Sequence, residues 1–255
     1  MSVLVDIWNV CWRELKRFRR QPARILMSIV QPIIWLALLG NMMQAITPML
    51  GQNIKSYLDY MAPGIVVMTT IFGGVFGGLS VVWDRRLGFL NKMLASPISR
   101  SAIPIGKTIA SSLISALQAT LILCAAIAMG VDVVTGPLGV VAVILIAMIL
   151  CLMLSGLSLA LGAIIKSHET LMVVMNFLTM PLMFTSNALF PSNLMPEWLR
   201  VIAEWNPISH TIGPIRLIAT QGWDWAIILP DVAIIVALTL VVMTIATLLF
   251  RRSIS

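Results

Sequence analysis

Val133 to Ile165 reads VVTGPLGVVAVILIAMILCLMLSGLSLALGAII, thirty-three residues without one charged side chain. A bilayer core of about 30 Å needs roughly 20 apolar residues in a helix. This run exceeds that, and it places one span mostly between Leu138 and Ile164. Five further apolar runs extend outward from it. They lie at about Ile25–Ile46, Met61–Val82, Ile109–Met129, Leu171–Leu189 and Val232–Phe250. Of the 255 residues, 59% are hydrophobic and 11% charged, whereas a soluble domain carries about a quarter charged. The expected fold is therefore an all-α membrane protein with six transmembrane helices, forming one domain over residues 1–255.

Charge sets the expected orientation. The N-terminus, residues 83–107, the 164–170 turn and the C-terminus hold fourteen of the seventeen Lys and Arg residues, leaving Lys55, Arg200 and Arg216 for the opposite side. Asp59, Asp132, Glu197, Glu204, Asp224 and Asp231, six of the ten acids, share that opposite side. The positive-inside rule then puts both termini in the cytoplasm of a cell-membrane protein. The net charge of +7 sits beside apolar spans and not on a folded basic face, so no nucleic-acid partner is expected.

Three segments fall outside the spans. Residues 1–22 place Val3, Leu4, Ile7, Trp8, Cys11, Leu15 and Phe18 at helical spacing, with Arg13, Lys16, Arg17, Arg19 and Arg20 toward the end. This is the pattern of an amphipathic helix on the membrane surface; a solvated basic tail is the alternative. No signal-peptide pattern is present. In residues 83–107, Leu87, Leu90, Met93 and Leu94 fall on one helical face, with Asp84 at the expected helix start and Pro97 after its end. That helix is either a basic anchor on anionic lipid or a docking knob for a cytoplasmic partner. In residues 191–224, Pro196 can open a helix, Trp198, Ile202 and Trp205 share a side, and Asn206 can cap a helix beginning at Pro207. Trp223 and Trp225 suit an interfacial belt.

Several enzymatic motifs fail. Ser101–Thr108 reads SAIPIGKT, but a phosphate-binding loop needs Gly at its first position and a preceding strand. Gly156–Ala160 lacks the last glycine of a nucleophile elbow, and no span holds a histidine to act as base. Cys11, Cys124 and Cys151, with His168 and His210, have no metal-site spacing. No ionisable side chain is expected within the spans, so the proton or ion relay of a self-driven carrier is missing. Any uphill transport would take its energy from another polypeptide. Phe72–Gly78 carries overlapping GxxxG patterns at Gly73, Gly74, Gly77 and Gly78; these either pack helices within one subunit or line the path or a second subunit.

Two stretches resemble the ABC-2 type transporter permeases, in the branch that includes daunorubicin-resistance and nodulation-type exporters. One is Asp84-Arg85-Arg86-Leu87-Gly88-Phe89-Leu90 with Ala95-Ser96-Pro97-Ile98-Ser99-Arg100. The other is Leu189-Phe190-Pro191, Leu194, Pro196-Glu197-Trp198-Leu199 and Asn206-Pro207-Ile208. Family members often carry Glu where Asp84 or Arg86 stands, which leaves open which position makes the acidic contact. The resemblance implies a non-enzymatic permease subunit with a cytoplasmic coupling helix and short outer-leaflet helices between spans five and six. It implies two copies of an ABC ATPase as partner, a second permease subunit, in a homodimer or alternatively a heterodimer, and surrounding lipid. This chain would bind no cofactor, with ATP and Mg2+ held by the ATPase. Coupling would run through Asp84, Arg85, Arg86, Leu87, Gly88, Leu90, Leu94 and Pro97, with Pro191, Pro196, Trp198, Asn206 and Pro207 shaping the outer segment. The implied activity is outward export of an amphipathic drug, lipid or glycan-type substrate by alternating access. The alternatives are a non-ABC channel or carrier, or a membrane scaffold.

Overall fold

The computed structural model describes residues 3–42, 44, 47, 56–188 and 195–253, and the described residues contain helices and no strand. In chain order the helices are α1 (Val3–Arg19), α2 (Pro22–Met42), α3 (Tyr57–Arg86), α4 (Phe89–Leu94) and α5 (Ala102–Ala128). They continue with α6 (Gly136–Ile164), α7 (His168–Thr185), α8 (Glu197–Glu204), α9 (Pro207–Thr220) and α10 (Trp225–Ser253). Five of them, α2, α3, α5, α6 and α10, are long and apolar enough to cross a membrane. The expected fifth span appears as α7, whose 18 residues reach about 27 Å at 1.5 Å per residue. It is not among the five, and its 18 residues include the polar His168, Glu169 and Asn176 as well as Pro181.

The charge-free run becomes α6, at the middle of the molecule, where it packs on α3, α5, α9 and α10. The core between these helices contains Ile71, Ile122, Leu150 and Leu154, all essentially without solvent exposure. Lipid is as apolar as leucine, so burial alone gives helices little reason to associate there; close backbone approach and interhelical hydrogen bonds do more. Both are present. A Cβ on Gly78 would stand 2.5 Å from the Ser158 carbonyl carbon of α6, and one on Gly74 would stand 2.7 Å from Leu154 Cβ. Ser158 Oγ donates to the Val75 carbonyl at 2.8 Å, and Ser112 Oγ donates to that of Met148 at 3.0 Å. Ser158, in the abortive nucleophile elbow, is thus a packing residue. Of the span windows in α2 and α10, 17% of each is buried, so these helices lie at the margin and turn most of their surface outward.

Two ends of the bundle can be told apart. At one end Ser56 and Asp59 form a capping box at the start of α3, Thr135 Oγ1 donates to the Ile218 carbonyl at 2.8 Å, and His210 Nδ1 lies 2.7 Å from Asp231 Oδ1. At the other end meet α1, the foot of α3, α4, the start of α5 and the last residues of α10. Arg85 there reaches the Gly162 carbonyl (3.5 Å) and Ser253 Oγ (3.4 Å). The basic segments separated by sequence thus converge on one end.

Candidate functional site: a buried ion-pair latch beneath a short surface helix

Lys107, the sixth residue of α5, has a side chain only 1% exposed. A buried cation must be paired, or it loses its charge. Its Nζ lies 2.5 Å from Asp84 Oδ2 on α3 and 3.1 Å from Glu14 Oε1 on α1, and it donates to Ser80 Oγ at 3.0 Å. Arg13 completes the cluster, with one guanidinium nitrogen 2.6 Å from Asp84 Oδ2 and also paired with Glu14. Arg17 lies 3.3 Å from Asp84 Oδ1. Two carboxylates therefore sit among three cations, the five groups coming from α1, α3 and α5. Burial works against the charged form of Glu14, yet Lys107 and Arg13 together hold its carboxyl below the usual glutamate range.

The cluster fastens α1 to the transmembrane helices. Gly106 lets α1 come close: a Cβ there would meet the Ile7 carbonyl oxygen and Val10 Cβ, each at 2.8 Å. Val10, Cys11 and Phe18 are buried against the bundle. Leu4, Trp8 and Trp12 face outward, the two indoles stacked at 6.0 Å. The amphipathic helix expected at the N-terminus therefore has two apolar faces, one for protein and one for the surroundings. Asp6, at its first turn, accepts a hydrogen bond from the Ser99 amide at 3.0 Å and ties α1 to the Pro-Ile-Ser-Arg turn. Arg13 also lies over the Phe89 ring of α4, 4.5 Å from its centroid.

The coupling segment departs from its sequence reading in three ways. Asp84, Arg85 and Arg86 are the last turn of α3, not the start of a surface helix, and Asp84 is buried. Gly88, at φ +69°, turns the chain between α3 and α4, a conformation that glycine adopts without steric cost. Leu90 is 2% exposed; it packs with Val81, Ile103 and Phe250, and Leu94 packs partly against the same group. The apolar face expected to dock a partner is thus turned into the protein, since the short α4 has only that face with which to hold itself to the bundle. Leu87 (66% exposed) and Phe89 (40%) point outward instead, beside exposed Asn91, Lys92 and Pro97. Arg86 pairs with Glu169 at 3.3 Å in full contact with solvent, where an ion pair contributes little.

The four glycines of α3 face two ways. Gly74 and Gly78 meet α6, as above. A Cβ on Gly77 would meet Ser111 and Ser155, while Gly73 has its nearest neighbour, Ser115 Cβ, at 3.6 Å. Gly73 and Gly77 also border a cavity of about 960 Å³ between α1, α2, α3 and α5, with Trp35, Phe72 and Phe76 on its walls and the latch at its base.

In the other polar segment, Pro196 precedes α8 and Pro207 is the first residue of α9. Asn206 caps α9 by accepting from the Ile208 amide at 2.9 Å, and its side-chain amide donates to the Leu182 carbonyl at 2.6 Å. Trp198 and Trp205 are 66% and 84% exposed. Behind them the Arg216 guanidinium lies over the Tyr60 ring at 3.8 Å and donates to the Ala188 carbonyl at 3.2 Å. Pro191, Leu189, Phe190, Leu194 and Lys55 lie outside the described residues.

Among the described residues no group of His, Cys, Asp or Glu has the arrangement of a metal site. Lys107, the lysine of the phosphate-loop-like SAIPIGKT, is engaged by Asp84 and Glu14.

Comparison with known proteins accords with this architecture. Residues 5–219 match the family model of the ABC-2 type transporter. A putative transport permease, ycf38 of Porphyra purpurea, is 34% identical over 228 residues, covering 88% of this chain and 77% of that protein. The daunorubicin resistance ABC transporter permease protein DrrB1 of Streptomyces coeruleorubidus is 25% identical over 223 residues, covering 86% and 77%. Nodulation protein J of Rhizobium leguminosarum bv. viciae is 23% identical over 220 residues, covering 82% and 80%. The chain belongs to the ABC-2 type transporter family, as a multi-pass transport permease and not itself an enzyme.

Proposed function

We propose that this chain is the membrane subunit of an exporter driven by a separate ABC ATPase, moving an amphipathic drug, lipid or glycan-type solute outward by alternating access. ABC-2 permeases in general work with ABC ATPases. In this reading α7 is the sixth span, counted with α2, α3, α5, α6 and α10. Both termini are cytoplasmic, and two copies of the chain pair over two ATPases that hold ATP and Mg2+. The chain is one transmembrane domain over residues 1–255, and α8 and α9 dip into the outer leaflet.

The observation that carries the reading is the latch. The surface helix α4 touches α1 through Phe89 and Arg13, and α1 is bonded to α3 and α5 through Lys107, Asp84 and Glu14. A push from below on Leu87 and Phe89 is thereby delivered to two spans at once, through charges buried where their interactions are strong. An ATPase groove would receive Leu87, Phe89 and the basic rim of Lys92 and Arg100, not Leu90.

The experiment is affinity purification of the tagged chain from its host's membranes, with partners identified by mass spectrometry. An ABC ATPase should be recovered. Leu87→Asp should cut its recovery about tenfold or more, since a charge buried unpaired in a groove costs several kcal/mol and 1.4 kcal/mol is tenfold. Recovery of no ATPase overturns the function, and undiminished recovery with Leu87→Asp overturns the docking surface.

A further inference from the structure

The 960 Å³ cavity between α1, α2, α3 and α5 has an unequal charge distribution. Its walls are aromatic: Trp35 from α2, Phe72 and Phe76 from α3. Its charged lining is Glu14 against Arg17, Arg24 and Lys107. Lys107 is fully engaged by Asp84 and Glu14. Arg17 shares those two carboxylates, at 3.3 and 3.9 Å, with Arg13 and Lys107 already closer to them. Arg24 pairs with no carboxylate among the described residues; its guanidinium stands 5.9 Å from the Phe76 ring centroid. Counting Asp84 and Arg13 with the lining, four cations face two anions around the base of the groove, at the bundle end that carries the basic segments.

A guanidinium offers a planar fork of donors suited to phosphate or carboxylate, and an aromatic wall accepts hydrocarbon without geometric demand. We propose that this groove binds an amphiphile with an anionic head, its phosphate or carboxylate held between Arg24 and Arg17 and its apolar body lying along Phe72, Phe76 and Trp35. Cationic amphiphiles are disfavoured at the same place by the excess positive charge. The proposal rests on the transport reading only for the consequence of binding. Occupancy itself is a property of this chain and is measured without any ATPase.

The test uses the full-length chain in phosphatidylcholine nanodiscs. Three photoreactive probes of the same chain length carry a phosphate, an uncharged glycol or a trimethylammonium head, and crosslinked residues are mapped by peptide mass spectrometry. The phosphate probe should crosslink to α2 and α3 around Trp35, Phe72 and Phe76 at concentrations about tenfold below the other two, the discrimination of one charge-assisted hydrogen bond. Arg24→Gln should abolish that preference and Arg24→Lys should retain most of it. Doping the discs with phosphatidylglycerol separates two sources of the head. Competition marks a bilayer lipid as the occupant, and competition by added dodecyl phosphate alone marks a soluble amphiphile; each supports the anionic site. Equal labelling by all three probes overturns the proposal, as does an Arg24→Gln variant that keeps the preference.

Discussion

Lys107→Met removes the cation at the centre of the latch while nearly preserving side-chain volume. Asp84 and Glu14, 4% and 11% exposed, then lose the ammonium at 2.5 and 3.1 Å. Breaking a buried pair from one side costs about 3–5 kcal/mol. Arg13 at 2.6 Å and Arg17 at 3.3 Å still neutralise Asp84, which places the cost near the lower figure, about 3 kcal/mol. That loss falls on the contact between α1 and the spans, and 3 kcal/mol corresponds to about a hundredfold in the equilibrium for lifting α1 away. Cys11 reports on it directly, being 1% exposed beneath α1, while Cys151 is fully buried inside the bundle. In a Cys124→Ala background, the maleimide reaction of Cys11 in detergent should accelerate about a hundredfold, and that of Cys151 should not change. Burial and the neighbouring Glu14 charge both raise the Cys11 thiol pKa. Losing Lys107 leaves Glu14 less neutralised, so any electrostatic effect on the thiol runs against faster labelling. A change below threefold at Cys11 would show that the latch does not hold α1, and equal acceleration at Cys151 would show global loosening instead.

Because the Glu14 carboxyl is held below its ordinary range, its stabilising contribution is complete above the unfolded value of about 4.3. It is lost as pH falls through the depressed folded value, so hydrogen-exchange protection of α1 amides, corrected for intrinsic rates, should be flat from pH 8 to 5 and decline only below about pH 4. Leu90→Ala empties part of a packed cluster and should cost about 2–4 kcal/mol; thermal unfolding in detergent should register it, whereas Leu87→Ala, at an exposed site, should leave the midpoint unchanged. Gly78→Ala drives a methyl into the α6 backbone and should destabilise by about 1–3 kcal/mol, while Gly73→Ala, whose nearest neighbour is at 3.6 Å, should be tolerated; equal effects would contradict the packing of α3 on α6.

Much of the architecture is legible because a span leaves a one-dimensional trace. The charge-free run of 133–165 becomes α6, Asn206 caps α9 as its position before Pro207 suggests, and the basic segments gather at one end. The glycines of α3 announce close helix contact, but not with which helix. That information lies in the serines of the partner, Ser155 and Ser158, whose spacing carries no label. For α4 the sequence marks an apolar face correctly and leaves its direction open. The pattern Leu87, Leu90, Leu94 is satisfied equally by a groove in a partner and by the protein's own core. The structure divides it, because Gly88 reverses the chain before Leu90 and leaves Leu87 on the far side of the turn.

The latch is harder to read, since its members lie 23 and 93 residues apart and nothing local ties them together. One signal does point to it. SAIPIGKT fails as a phosphate loop, yet it leaves a lysine followed by twenty-four uncharged residues, from Thr108 to Val131. A cation at the start of such a run is drawn partly into the bundle when the helix forms, and at that depth it must find a carboxylate or give up its charge. The acids available on the same expected side are Asp6, Glu14, Asp84 and Glu169. Asp84 is the one that ends an apolar run in the mirror position, so an antiparallel pairing of the second and third spans sets it level with Lys107. Glu14 follows from α1, whose Arg13 and Arg17 flank it by one and three residues and so bring cations with it. A failed catalytic motif thus leaves a physical question, where the charge goes, and the answer is the joint between the surface helices and the spans.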